Sequence, residues 1–316
     1  MEISQRRVPT NGIELNIAEC GEGPLVLLLH GFPESWYSWR HQLEPLARAG
    51  YHAVAPDMRG YGKSDRPEAI EAYNQVEVMA DITGLVSALG YETAVVIGHD
   101  WGAPTAWGCA LNRPDVFTAV GALSVPFTPR SPVQPMPAMR ELFKGQFFYQ
   151  LYFFEPGVAE AEFEADIRTA LKQFLVMGAG ETDLTSLPQK GPDDQMLTGL
   201  PNPDELPAWL TQEDLDFYAA EFTRSGMRGP LNYYRNHDLT WELTEGAPTT
   251  ISQPAMFVAG DKDGVIMMAA EALKNMPTHV TDLRTNVLIP GIGHWTQQEA
   301  PDAVNREILA FLEGLA

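Results

Sequence analysis

Basic residues are scarce in this chain. Lys and Arg number 21 against 42 Asp and Glu, a formal net charge of −21 over 316 residues with histidine neutral. A chain so acidic carries no net positive field to draw a phosphate backbone or an anionic lipid surface, which argues against nucleic acid and membrane partners. The acidity is spread along the chain and reads as a solubility feature. Cysteine is almost absent: Cys20 and Cys109 cannot build a disulfide framework, and no C-x-x-C pair offers zinc or redox chemistry, so a reducing, cytoplasmic compartment is expected. Long apolar runs are missing too. Runs such as Leu25–Leu29 fall far below the roughly 20 residues of a membrane helix, and the polar stretch Met1 to Glu14 has no apolar core of a signal peptide. Neither H-E-x-x-H nor an Asp-rich calcium loop occurs, Gly60–Ser64 lacks the first glycine of a phosphate loop, and Gly21-Glu22-Gly23 lacks the third glycine of a dinucleotide site. No metal and no cofactor are expected.

About 45% of residues are hydrophobic and 20% charged, enough for a sizeable core. The first third alternates short apolar runs with amphipathic stretches: strands at Leu25–Leu29, His52–Pro56, Thr93–Ile97 and Ala119–Val125, and helices at Ser35–Ala49, Val76–Leu89 and Ala103–Leu111. Such alternation builds a parallel sheet covered on both faces. Five prolines between Pro126 and Pro137 then break the pattern, and the chain to about Leu243 is mostly helical and aromatic. Alternation resumes with a strand at Ala255–Ala259, a helix at Val265–Asn275, a strand near Asn286–Ile289 and a helix at Pro301–Leu315. The expected organisation is an α/β core in two parts, residues 1–128 and 246–316, with a helical cap inserted over 129–245.

Gly98-His99-Asp100-Trp101-Gly102 follows one apolar strand and opens a helix. This is the spacing of a nucleophile elbow, a sharp strand-to-helix turn that lifts its central side chain to the end of the sheet at the positive end of a helix. Here that side chain is the carboxylate of Asp100, which attacks a saturated carbon and leaves an alkyl ester on the protein. The bland alternative is a helix cap. His30-Gly31-Phe32-Pro33 follows the first buried strand, so the Phe32 and Trp101 N–H groups are the expected oxyanion hole. Of seven histidines, His294 alone lies on a Gly-rich loop between the last strand and last helix, where α/β sites form. Gly260-Asp261-Lys262-Asp263-Gly264 offers Asp263 or Asp261 to orient that imidazole. Phe143, Phe147, Phe148, Tyr149, Tyr152, Phe153 and Phe154 read mostly as core, and spacing leaves Tyr149 and Tyr152 as equal candidates for the site.

On these motifs, with Asp57-Met58-Arg59-Gly60-Tyr61-Gly62-Lys63-Ser64 and the segments Tyr149–Gly157 and Arg228–Asn236, nearly the whole chain resembles a soluble-type epoxide hydrolase of the α/β-hydrolase superfamily. The resemblance implies an α/β-hydrolase core with a mostly parallel central sheet and an inserted helical cap. It implies hydrolysis of an epoxide to a vicinal diol, with Asp100 as nucleophile, His294 as base, Asp263 rather than Asp261 as the acid, and Tyr149 and Tyr234 as the tyrosines that hold the epoxide oxygen. Phe32, Trp36, Trp101, Tyr149, Tyr234 and Trp295 are the expected substrate contacts, although the Trp36–Trp39 pair reads first as packing. Expected partners are a small epoxide and water, and a homodimer is left open. Phe154 stands where a glutamine is frequent and Tyr233 where a tryptophan is, departures that bear on pocket shape. A dehalogenase of the same superfamily also uses an aspartate nucleophile, but Phe32 replaces its usual Asn, and the paired tyrosines favour oxygen. A ligand receptor that kept the fold would show a degraded triad, and every expected member is present.

Overall fold

Five consecutive apolar residues, Leu25–Leu29, need cover on both faces, and only an interior strand supplies it. In the computed structural model, which describes residues 1–315, this segment is β3, buried throughout. Ala316, the last residue of the third expected segment, lies outside the described residues. Among those residues eight strands form one sheet in the order β1-β2-β4-β3-β5-β6-β7-β8: β1 Ser4–Thr10, β2 Ile13–Cys20, β4 His52–Pro56, β5 Ala94–His99, β6 Phe117–Leu123, β7 Ile251–Gly260 and β8 Val280–Ile289 complete it. From β4 to β8 all pairings are parallel; only β1 with β2 and β2 with β4 run antiparallel.

Side-chain alternation along β3 divides the core into two layers. Leu25, Leu27 and Leu29 point into one, with residues of α2 (Gln75–Ala88) and α3 (Gly102–Asn112); Val26 and Leu28 point into the other, with α1 (Arg40–Arg48) and α14 (Pro301–Glu313). The expected helix at Ser35–Ala49 is in fact a 3₁₀ turn, Trp36–Trp39, running into α1, with Ser35 Oγ accepting the Tyr37 N–H at 3.2 Å. The expected helix at Val265–Asn275 is divided at Ala269 into α11 (Gly264–Met268) and α12 (Ala270–His279).

The β1–β2 hairpin was not expected from the sequence. Its polarity hid it, because β1 is an edge strand that buries only Val8 and Thr10. Asn11 and Gly12 turn it with φ of 41° and 77°, the Asn-Gly signature of a two-residue hairpin.

Between β6 and β7 the described chain contains no strand. It forms α4 (Pro135–Leu142), α5 (Tyr149–Phe154), α6 (Val158–Ala165), α7 (Ile167–Gly178), α8 (Gln212–Ser225), α9 (Arg228–Arg235) and α10 (His237–Leu243). This layer sits over the loops that leave the C-terminal ends of β3, β5 and β8. Phe153, Phe163 and Phe174 close around Phe32 with ring centroids 5.3–6.2 Å away, and the His294 N–H donates to the Gly178 carbonyl at 2.7 Å. Among the described residues no helix is long and apolar enough to cross a membrane.

Candidate active site

Two residues separate the end of β5 from the start of α3, so the chain must reverse direction almost on the spot. Asp100 takes the strain, with φ of 48° in the left-handed region at a cost of about 1–3 kcal/mol. The flanking glycines make the turn sterically feasible: a Cβ on Gly98 would run into the Gly102 carbonyl, and one on Gly102 into the Leu29 carbonyl. The Asp100 carboxylate therefore stands at the N-terminal end of α3, where free N–H groups and the helix dipole favour negative charge.

The two oxygens of that carboxylate have different neighbours. Oδ1 accepts the Phe32 N–H at 2.7 Å, and Gly31 has no space for a side chain because the carboxylate fills it. Oδ2 lies 3.4 Å from His294 Nε2. The Trp101 N–H, at the open start of α3, donates to no protein group among the described residues. His294 Nδ1 faces both oxygens of the fully buried Asp263 at 3.1 Å. His294 thus stands between Asp263 and Asp100, one ring nitrogen facing each carboxylate. Asp261 is turned away and accepts the Gly291 N–H at 2.7 Å.

Burial on its own would strip the proton from His294; the facing Asp263 and Asp100 carboxylates outweigh it and hold the imidazole well above its ordinary value. Burial likewise pushes Asp263 up, and the His294 cation beside it brings the net shift down.

A second buried pair lies beneath the site and was not picked out from the sequence. Glu34 Oε2 meets His99 Nδ1 at 2.7 Å, and His99 Nε2 meets the His294 carbonyl at 2.7 Å. A carbonyl only accepts, so Nε2 carries a proton. Glu34 already accepts the Gly31 N–H and the Gln297 and Gln298 amides at 2.9, 2.9 and 3.2 Å. Burial raises the Glu34 carboxyl, but His99 beside it and the Gly31 N–H prevail and hold it at about 2. His99 thus bridges Glu34 and the His294 carbonyl, tying the Phe32 loop to the His294 loop. Its place inside the elbow motif was the only available signal.

Tyr149 opens α5 and Tyr234 lies on α9, their ring centroids 6.1 Å apart. Tyr234 is set edge-on by Trp101 at 5.0 Å and Phe32 at 5.5 Å. Burial pushes Tyr149 up to about 12 and Tyr234 well above the ordinary phenol value, so both are O–H donors at neutral pH. Tyr152, the other candidate from spacing, donates its O–H hydrogen bond to Glu162 at 2.8 Å.

A cavity of about 390 Å³ joins these groups; Phe32, Asp100, Tyr149, Tyr234, His294 and Trp295 line it. One expected contact is corrected. Trp36 does not line the cavity; it packs edge-on to Tyr37 and Phe217 in the layer on the other side of the sheet. The Trp101 indole packs edge-on against Tyr234 of the site at 5.0 Å and also borders a second cavity of about 290 Å³ beside Tyr233 and His237. Phe154 and Tyr233 do not line the 390 Å³ cavity either. Much of its remaining wall is Met177, Leu184, Leu187, Met196, Leu200 and Met268, which belong to no motif. Among the described residues no three His, Cys, Asp or Glu side chains are grouped to hold a metal.

A mostly parallel sheet with a strained carboxylate elbow and a histidine on the loop after the last strand defines an α/β-hydrolase. Residues 24–301 match the family described as alpha/beta hydrolase fold. The chain is 46% identical over 323 residues to Epoxide hydrolase A of Mycobacterium tuberculosis, covering 99% of this chain and 98% of that one, and 42% identical over 319 residues to Epoxide hydrolase 3 of Siraitia grosvenorii, covering 98% of each. The crystal structure of Epoxide Hydrolase A from Mycobacterium thermoresistibile superposes with a TM-score of 0.94 at 46% identity, over 99% of both chains. The chain belongs to the epoxide hydrolases of the α/β-hydrolase family.

Proposed function

We propose that this protein hydrolyses an epoxide to a vicinal diol through a covalent ester on Asp100. The reading rests above all on the division of labour within one carboxylate: Oδ1 is held by the Phe32 N–H while Oδ2 faces the cavity beside His294. The epoxide oxygen sits between the Tyr149 and Tyr234 hydroxyls. Oδ2 forms a bond to one epoxide carbon as that carbon–oxygen bond breaks, and one tyrosine passes its proton to the released alkoxide. Oδ1 becomes the ester carbonyl oxygen, already in place on its N–H donor.

Alkylation removes the Asp100 charge, one of the two that hold a proton on His294, so the imidazolium releases that proton to solvent and becomes the neutral base; the proton is regained when the Asp100 carboxylate is restored. His294 then takes a proton from water while the hydroxide adds to the ester carbon. Negative charge gathers on Oδ1, held by the Phe32 N–H and by the Trp101 N–H that has no other acceptor. Collapse expels the second alkoxide, which takes the proton from His294; the Asp100 carboxyl returns its proton to the tyrosinate, and the diol leaves.

Residues 129–245 act as the cap that closes this chemistry over the core parts 1–128 and 246–316. The partners are an epoxide and water, and the two buried free thiols, Cys20 and Cys109, favour a reducing, cytoplasmic setting. A single turnover with excess enzyme in heavy-oxygen water tests the mechanism. The new hydroxyl is expected to carry light oxygen from Asp100; solvent isotope there overturns the covalent route.

A further inference from the structure

Glu299 closes α13 (Thr296–Glu299), five residues beyond His294. It does not line the 390 Å³ cavity, yet its carboxylate accepts three backbone N–H bonds: Gly293 at 3.0 Å, Trp295 at 3.0 Å and Gly180 at 2.9 Å. Gly293 and Trp295 are the two neighbours of His294. Gly180 lies just past the end of α7, in the cap. One carboxylate therefore grips the histidine loop on both sides of the base and ties it to the cap.

The backbones at this joint touch directly. A Cβ on Gly180 would collide with Gly291 and Gly293, and one on Gly293 with Gly178, Ala179 and Gly180. The His294 N–H bonds the Gly178 carbonyl and the Trp295 indole N–H the Leu175 carbonyl, both at 2.7 Å. On its other side α7 lends Phe174, Met177 and Gly178 to the cavity wall. The helix against which substrate rests and the loop that carries the base are thus one rigid unit, with Glu299 as its bolt. Two of the three donors share Oε2 and the third meets Oε1, so an acceptor is required at both positions and an amide cannot replace the carboxylate without facing N–H against N–H.

We propose that Glu299 is a positioning residue for the second half-reaction: it fixes His294 relative to the ester and the attacking water, and is dispensable for the attack of Asp100 on the epoxide. The proposal rests on the covalent mechanism above. Asp100 is set by the elbow and the Phe32 N–H, whereas all three N–H groups on Glu299 belong to the histidine loop and the end of α7, so loosening the joint falls mainly on the second step.

Rapid-quench mixing with styrene oxide, with the alkylated fraction read by intact-protein mass, measures both steps in wild type, Glu299→Gln and Glu299→Asp. The glutamine variant is expected to alkylate at nearly the wild-type rate, to hydrolyse the ester about ten- to a hundredfold more slowly, as small misplacements of a reacting group do, and to accumulate adduct. The aspartate variant keeps the charge but cannot span all three donors, and is expected to show the same split, less deep. It also serves as the readout if the glutamine variant does not fold by circular dichroism. Equal losses in both steps, or no loss in either, overturn the positioning role. If neither wild type nor His294→Gln ever forms an adduct, the covalent reading itself fails and this proposal with it.

Discussion

The Asp100 carboxylate is asked to be a nucleophile at one oxygen and an oxyanion at the other, and the surrounding donors keep those tasks apart. In the proposed mechanism His294→Gln still permits alkylation, because Oδ2 needs no base, but blocks ester hydrolysis. The intact variant incubated with substrate should gain the mass of one epoxide; an unchanged mass counts against it. His294 is raised by Asp263 and Asp100 against the opposing effect of burial, so removing either charge lowers it. In Asp100→Asn the imidazole should titrate at a lower pH than in wild type, by NMR of the ring protons; an unmoved midpoint would show that Asp100 does not hold that proton. By the same sign, hydrolysis of the alkyl-enzyme should speed up as pH rises through the His294 titration. Tyr149→Phe or Tyr234→Phe should slow alkylation by about 10²-fold or more, the usual scale for a general acid, with ester hydrolysis less affected; rapid-quench rates check this.

Strand β5, the turn at Asp100 and helix α3 form a unit whose glycine spacing is a steric requirement rather than a preference. Gly98→Ala is expected to destabilise the protein by about 1–3 kcal/mol, the cost of forcing a methyl group into packed backbone, seen as a lower thermal midpoint by circular dichroism. A melt equal to wild type would mean that the elbow yields. The same steric logic explains why the elbow, the Phe32 loop and the His294 loop were readable from sequence: each is a local turn that only certain residues can make. The cavity wall was not. Leu184, Leu187, Met196 and Leu200 reach the site by packing of an irregular stretch, and no local rule marks an apolar residue as facing a cavity rather than a core. Trp36 misled for the converse reason: adjacency to the Phe32 loop in sequence said nothing about which face of the sheet its side chain takes.

Across the whole molecule, 42 acidic against 21 basic residues leave a folded surface that repels itself. Salt shortens the reach of that repulsion, to about 10 Å at 0.1 M. The melting temperature near neutral pH should therefore rise as sodium chloride is added up to a few tenths molar, about where screening is complete; a flat or falling midpoint would show that the surface ion pairs, not the excess charge, set the balance. The alternation of strands and helices in the parallel core, the break at the prolines and the chemistry of the nucleophile follow from local pattern, because period, turn residues and side-chain type are properties of short stretches of chain. The clasp of Glu34 on His99, the joint between α7 and the histidine loop, and the choice of Asp263 over Asp261 and of Tyr149 over Tyr152 from spacing depend on groups brought together from distant parts of the chain. Contacts of that kind exist only once the sheet has closed and the cap has settled on it.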